Sequence, residues 1–169
     1  MRILGLALLL LISLVLESTV LEQWRVFNVT PDLVLVWVII LTLLWGRRRG
    51  AIVGFIFGLV EDLFFAKYVG TNALIKMVVA LFIGSVEEKL FKENIFVPVL
   101  AAFLGSIMYQ FGIMILELYL GRMLKFDLRT LFGFSIYNGI IALVVYRGFY
   151  RSCSLGWLKI PERWREISG

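Results

Sequence analysis

The chain has 169 residues, of which 61% are hydrophobic and only 17% are charged, and its mean hydropathy is +0.94. This composition excludes an ordinary soluble globular domain. A helix that crosses a bilayer needs about 20 apolar residues, so six such helices would use about 120 residues and leave about 50 for loops and tails. We therefore expect a membrane protein without a separate soluble catalytic domain.

The residue types present exclude several kinds of chemistry. The chain has no histidine, which removes histidine-based nucleophile systems, zinc sites and haem ligation. Cys153 is the sole cysteine, so neither an internal disulfide nor a paired-cysteine metal site can form. The formal net charge of +5 arises from basic residues beside apolar segments, where they set topology and contact anionic lipids rather than nucleic acid. We expect no cofactor, no metal and no enzymatic activity.

The apolar segments predict an all-α, polytopic membrane protein that forms one transmembrane domain. The six predicted spans lie at about residues 3–21, 31–45, 51–66, 70–86, 97–120 and 131–146, before a short basic tail at 147–169. The first segment has the length of a signal peptide, but small residues are missing where cleavage would occur, so we interpret it as an uncleaved span and keep a signal peptide as the alternative.

The second span begins with favourable helix-start residues. Thr30 is predicted as the N-cap, Pro31 as the first helical residue, and Asp32 as a carboxylate at the positive helix end. The helix is only about 22 Å long, shorter than the hydrocarbon core, which favours a position inside a bundle. The segment from Gly46 to Gly50 predicts a tight basic turn into the third span.

The third span carries glycines at intervals of four residues. Gly50, Gly54 and Gly58 form the small-residue pattern that lets helix backbones approach closely. One interpretation is packing against the second or fourth span of the same chain. The other is a docking surface for the transmembrane helix of a partner, formed by Gly50, Gly54, Phe55 and Gly58.

Basic residues predict the orientation of the chain. They are more frequent on the side that holds both termini, which places the N and C termini in the cytoplasm. Arg47, Arg48 and Arg49 fall on this side. They are interpreted as a topology anchor or, alternatively, as a contact for anionic lipid or a cytoplasmic partner.

Polar residues within the spans are the candidate functional residues. In this orientation, polar side chains from six helices lie in the outer half of the membrane. They predict either an outward-opening cavity or a buried network in which Lys76 pairs with Asp62 or Glu61. The candidate cavity residues are Asp32, Asp62, Lys76, Tyr109 and Asn138. Glu17 and Glu117 lie near helix ends, where snorkelling to the interface is the alternative, and Asn138 is also a candidate interhelical bridge.

An ordered set of short motifs resembles one known family. The motifs are Pro31-Asp32-Leu33, Gly46 and Gly50 around the arginines, Gly54-Phe55, Gly58-Leu59, Asp62-Leu63, and Gly70 with Ala73-Leu74. Together with the length and span number, they resemble the rod shape-determining MreD family. The resemblance implies a bacterial inner-membrane protein that pairs with MreC, alongside MreB, RodA and a penicillin-binding synthase. It also implies a six-helix bundle similar to the substrate-binding S-components of energy-coupling-factor transporters.

Two functions follow as hypotheses. The first is a non-enzymatic component of the cell-elongation machinery that binds MreC and helps to organise peptidoglycan synthesis. The alternative is an outward-facing membrane protein of the S-component type, which binds a small molecule or lipid. An intramembrane enzyme that acts on lipid-linked precursors is a third class, but the carboxylates provide no convincing acid–base pair.

Overall fold

A computed structural model describes residues 2–21, 29–65, 69–87, 96–121 and 127–154. These residues form six α-helices and no strand, so the predicted all-α class is confirmed. The helices are α1 (Arg2–Leu16), α2 (Leu33–Trp45), α3 (Arg47–Phe65), α4 (Thr71–Glu87), α5 (Phe96–Tyr119) and α6 (Leu128–Ser154), and α1 continues into a π-helical turn, Glu17–Leu21.

Two of these helices are long and apolar enough to cross a membrane. They are α5 and the Leu128–Gly148 part of α6, whereas Leu4–Thr19, Leu33–Trp45 and Thr71–Val86 are shorter apolar segments. Helix length thus supports a membrane protein, and the number of six spans stays a prediction. Helix α6 also continues through residues 147–154, which the sequence analysis assigned to the tail. The apolar run ends before them, but they contain no proline that would end a helix. The remaining tail lies outside the described residues.

Helix α2 forms the centre of the bundle. It contacts α1, α3, α4, α5 and α6, and its side chains from Val34 to Leu41 are fully buried except for Trp37. The prediction that this short helix is packed inside a bundle is confirmed. The predicted N-cap was wrong by two residues, because Asp32, not Thr30, occupies that position.

The junction between α2 and α3 is shorter than predicted. Gly46 has a φ of 82° and donates its N–H to the Thr42 carbonyl at 2.9 Å, which ends α2. A left-handed φ is easily adopted by glycine, so this one residue reverses the chain. The predicted basic turn was therefore wrong: Arg47, Arg48 and Arg49 form the first turn of α3.

The glycines of α3 bring its backbone close to α2 and α4. A Cβ atom added at Gly58 would lie 2.6 Å from the Ala73 Cα atom of α4. One added at Gly54 would lie 2.8 Å from the Lys76 carbonyl oxygen, and one at Gly50 would collide with Thr42 of α2. These contacts fix the position of α4, which carries the central residue of the site described next.

Candidate functional site

Lys76 lies at the centre of a cluster of buried charges. Its side chain has no exposed surface, and its position in the second turn of α4 directs it between α2 and α3. The Nζ atom lies 2.8 Å from Asp32 Oδ2 and also forms an ion pair with Glu61. Of the two partners predicted for Lys76, Asp62 and Glu61, the structure shows the ion pair with Glu61, and Asp32 is a second partner that was not predicted.

Asp32 links this ion pair to three other helices. As the N-cap of α2, its Oδ1 atom accepts a hydrogen bond from the Leu35 N–H at 2.6 Å. Its own N–H donates to Asn138 Oδ1 of α6 at 2.9 Å, and Asn138 Nδ2 donates to Ser106 Oγ of α5 at 2.9 Å. Asn138 therefore bridges α2, α5 and α6, as the interhelical interpretation predicted.

Glu17 brings the end of α1 to the same place. Its Oε1 atom accepts a hydrogen bond from the Val34 N–H at 3.1 Å. Two carboxylates, those of Glu17 and Asp32, thus satisfy free N–H groups at the positive end of α2, where negative charge is stabilised. The contact favours an inward position for Glu17 over snorkelling.

Tyr109 of α5 covers the cluster. Its ring centroid lies 5.5 Å from Lys76 Nζ, a distance at which an aromatic face attracts a cation. Its hydroxyl group donates to Asn72 Oδ1 at 2.6 Å, and its ring stacks against Phe134 at 6.1 Å between centroids. Helices α4, α5 and α6 are therefore joined above Lys76.

Asp62 binds the start of helix α4, whereas its neighbour Glu61 pairs with Lys76. Its Oδ2 atom accepts hydrogen bonds from the Gly70 N–H at 2.9 Å and the Ala73 N–H at 3.1 Å, and its Oδ1 atom accepts from the Asn72 N–H at 3.1 Å. Gly70 precedes α4 and has no side chain that could cap it. Asp62 supplies the missing cap from α3.

The cluster is buried, and its polar atoms are satisfied in the part of the chain that the structure describes. Among the described residues, every buried side-chain nitrogen and oxygen has a hydrogen-bond partner. In the same part of the chain, no three carboxyl or thiol groups are arranged to hold a metal ion. Such an arrangement can fix how the helices pack against each other. Breaking any pair would leave a charge or a polar group without a partner in an interior of low dielectric constant.

A comparison with family models identifies the relationship of this chain. The model described as rod shape-determining protein MreD matches residues 1–153. The chain belongs to the MreD family. No curated protein and no solved structure shows a significant match. Membership supports a role in rod shape determination and a place in the membrane, as the resemblance implied.

The structure brings the five predicted polar residues of this MreD-family protein into one region. Lys76, Asp32, Tyr109 and Asn138 are connected by direct contacts, and Asp62 lies beside them at the start of α4. Among the described residues, their contacts correspond to the predicted buried network.

The sequence analysis missed two members of this network, Ser106 and Asn72. A signal for Ser106 was available, because it lies three residues before Tyr109 and thus on the same face of α5. Asn72 follows Gly70 and Thr71 at the start of α4 and was not singled out by any sequence pattern.

The proposed docking residues divide into two groups. Gly50, Gly54 and Gly58 are buried against α2 and α4 of the same chain, so a partner helix would have to displace α4 to reach Gly58. Phe55 lies on the flank of α3, about 100° around the helix from Gly54, and is 38% exposed. Packing within the chain accounts for the glycine spacing.

Arg47, Arg48 and Arg49 are exposed at the N-terminal end of α3. Cations are unfavourable at this end because the helix dipole is positive there. Helix stability therefore does not explain their presence, and the interpretations as a topology anchor and as a contact for anionic lipid or a cytoplasmic partner stay open.

Proposed function

We propose that this MreD-family protein is a non-enzymatic, multi-pass component of the bacterial inner membrane, with both termini in the cytoplasm. It binds MreC and helps to organise peptidoglycan synthesis during cell elongation. MreB, RodA and a penicillin-binding synthase are its wider partners, and the arginines at the start of α3 contact anionic lipid. The observation that carries this proposal is that the charged cluster is used to join helices.

The burial of the cluster favours a scaffold over the small-molecule alternative. Lys76 is fully buried, and its two carboxylate partners keep only about a tenth of their side-chain surface exposed. A ligand would have to break an ion pair before it could bind these groups. The same shielding argues against their use as an acid and a base in catalysis, since a substrate would have to reach them.

The exposed face of α3 is the MreC contact that we propose. Phe55 and Ile56 lie three and four residues after Ile52, so the three side chains form one apolar stripe on the exposed side of α3. The buried glycines support this surface indirectly, because they hold α3 in place. Phe55, the least exposed of the three at 38%, lies at the edge of this stripe.

Co-purification with MreC tests this contact. We expect that Phe55→Ala combined with Ile56→Ala lowers the recovered MreC about tenfold, the effect of losing well-packed apolar contacts. The matched control is Val78→Ala with Phe82→Ala, on the exposed face of α4. The four side chains are 38–55% exposed, so both variants also remove some packed atoms and their folding is compared by thermal unfolding. Undiminished MreC binding by the α3 variant would reject this surface.

A further inference from the structure

A long apolar groove lies between α5 and α6, away from the charged cluster. Its volume is about 410 Å³, within the range of small-ligand sites. Its lining is entirely apolar: Phe96, Val99, Leu100, Phe103, Ile136, Gly139, Ile140 and Leu143. The groove is open along one side, so in a bilayer it is filled from the hydrocarbon phase.

One end of this groove carries a positive charge. Helices α5 and α6 run antiparallel here, so that Phe96, at the start of α5, and Leu143 lie at the same end. Ile136, Ile140, Leu143 and Arg147 are spaced by four, three and four residues, which places them on one face of α6. Arg147 is exposed and lies one helical turn beyond the lining residue Leu143.

We propose that the α5–α6 groove binds an acyl chain of an anionic phospholipid whose phosphate group is held by the Arg147 guanidinium. The apolar lining suits a hydrocarbon chain and offers no partner to a polar molecule. A guanidinium forms strong, charge-assisted hydrogen bonds with phosphate oxygens. With both termini cytoplasmic, this end of the groove faces the leaflet in which anionic lipid attracts basic residues.

Gly139 is a position at which a substitution can fill the groove. A Cβ atom added there would lie 3.6 Å from Val99, which is an ordinary contact, so a side chain can begin at this position without separating α5 from α6. A large side chain would then occupy the space of the lipid chain. Gly139→Phe therefore tests the groove, and Arg147→Gln tests the headgroup contact at an exposed position.

The experiment uses the full-length protein in mild detergent with equal amounts of phosphatidylglycerol and phosphatidylcholine. Retained lipid is counted by native mass spectrometry. We expect the unmodified protein to retain phosphatidylglycerol preferentially, and Arg147→Gln to lower this preference about fivefold, the effect of one basic residue at a lipid surface. Arg129→Gln is the matched control, because this arginine is exposed near the other end of α6. Gly139→Phe should lose both lipids.

Three results would overturn the proposal. The first is equal retention of the two lipids, or of neither, by the unmodified protein. The second is the same lipid preference in Arg147→Gln and Arg129→Gln, which decides the matter even if Gly139→Phe does not fold. The third is a folded Gly139→Phe variant that keeps phosphatidylglycerol, because the lipid would then bind outside the groove.

Discussion

At the scale of single residues, Lys76 shows why charge can be kept inside this bundle. A charged side chain at membrane depth costs at least a few kcal/mol when it is isolated. Lys76 cannot snorkel because it is fully buried, and two carboxylates and an aromatic ring surround its ammonium group instead. The pairing is therefore a condition for the packing of α2, α3 and α4.

Removal of the central cation should destabilise the protein strongly. Lys76→Met retains most of the side-chain volume but leaves Asp32 and Glu61 buried without their cation, so we expect a loss of about 3–5 kcal/mol. Thermal unfolding in detergent measures this loss. Neutralising both carboxylates in the same variant, by Asp32→Asn and Glu61→Gln, should recover part of it. A Lys76→Met protein as stable as the unmodified one would show that the ion pairs do not support the fold.

Asp62 allows a second prediction at this scale. Its two oxygens accept three backbone N–H groups at the start of α4, whereas an asparagine would turn an NH₂ group towards some of them. We expect Asp62→Asn to lower stability by about 1–3 kcal/mol and to weaken shape maintenance. Glu117→Gln, in the partly exposed end of α5, should have a smaller effect. Complementation of cell shape, together with unfolding in detergent, ranks the two variants, and equal effects would refute the ranking.

At the scale of helices, the spacing of small residues was informative but ambiguous. Glycines every four residues on α3 predict a close helix contact, and the structure provides it within the chain. Sequence spacing could not choose between an internal and an external partner, because both need the same smooth surface. The structure also shows that this surface has a second effect, since close approach at Gly58 brings Asp62, one turn later, to the start of α4.

The same substitution at two glycines should have opposite effects. Gly58→Ala would place a Cβ atom against the backbone of α4 and push the helices apart, for an expected loss of about 1–3 kcal/mol. Gly5→Ala in α1 meets no atom within 4 Å and should stabilise its helix by about 0.5–1 kcal/mol. Unfolding of the two variants in detergent measures the difference. Equal stability would mean that α3 and α4 do not require this close contact.

At the scale of the whole molecule, the positions of the helices could largely be predicted from the sequence. The choice of ion-pair partner for Lys76 could not. Apolar segments predicted helices close to the observed ones, and the depth of polar residues predicted their convergence. Neighbouring residues on a helix point about 100° apart, so only the rotation of α3 decides whether Glu61 or Asp62 faces Lys76. That rotation depends on packing against α2 and α4, which sequence periodicity does not contain.

The orientation of the chain can be tested with its sole cysteine, Cys153, near the end of α6. If the C terminus is cytoplasmic, a membrane-impermeant maleimide should label Cys153 in inside-out vesicles but not in intact cells. Ser18→Cys in a Cys153→Ser background should give the reverse pattern. Ser18 is exposed just beyond the C-terminal end of α1, on the side of the membrane opposite to the N terminus in the proposed topology. Labelling of Cys153 from outside intact cells would invert the proposed topology.

The separation of Asp32 and Lys76 along the chain has a consequence for synthesis in the cell. The two residues are 44 positions apart, and a ribosome adds roughly 5–20 residues per second. Asp32 therefore leaves the ribosome roughly 2–9 seconds before Lys76 does. During that interval α2 carries an unpaired carboxylate and lacks the α4 surface that will cover it. The nascent chain thus needs a polar or sheltered place beside the insertion machinery until α4 emerges.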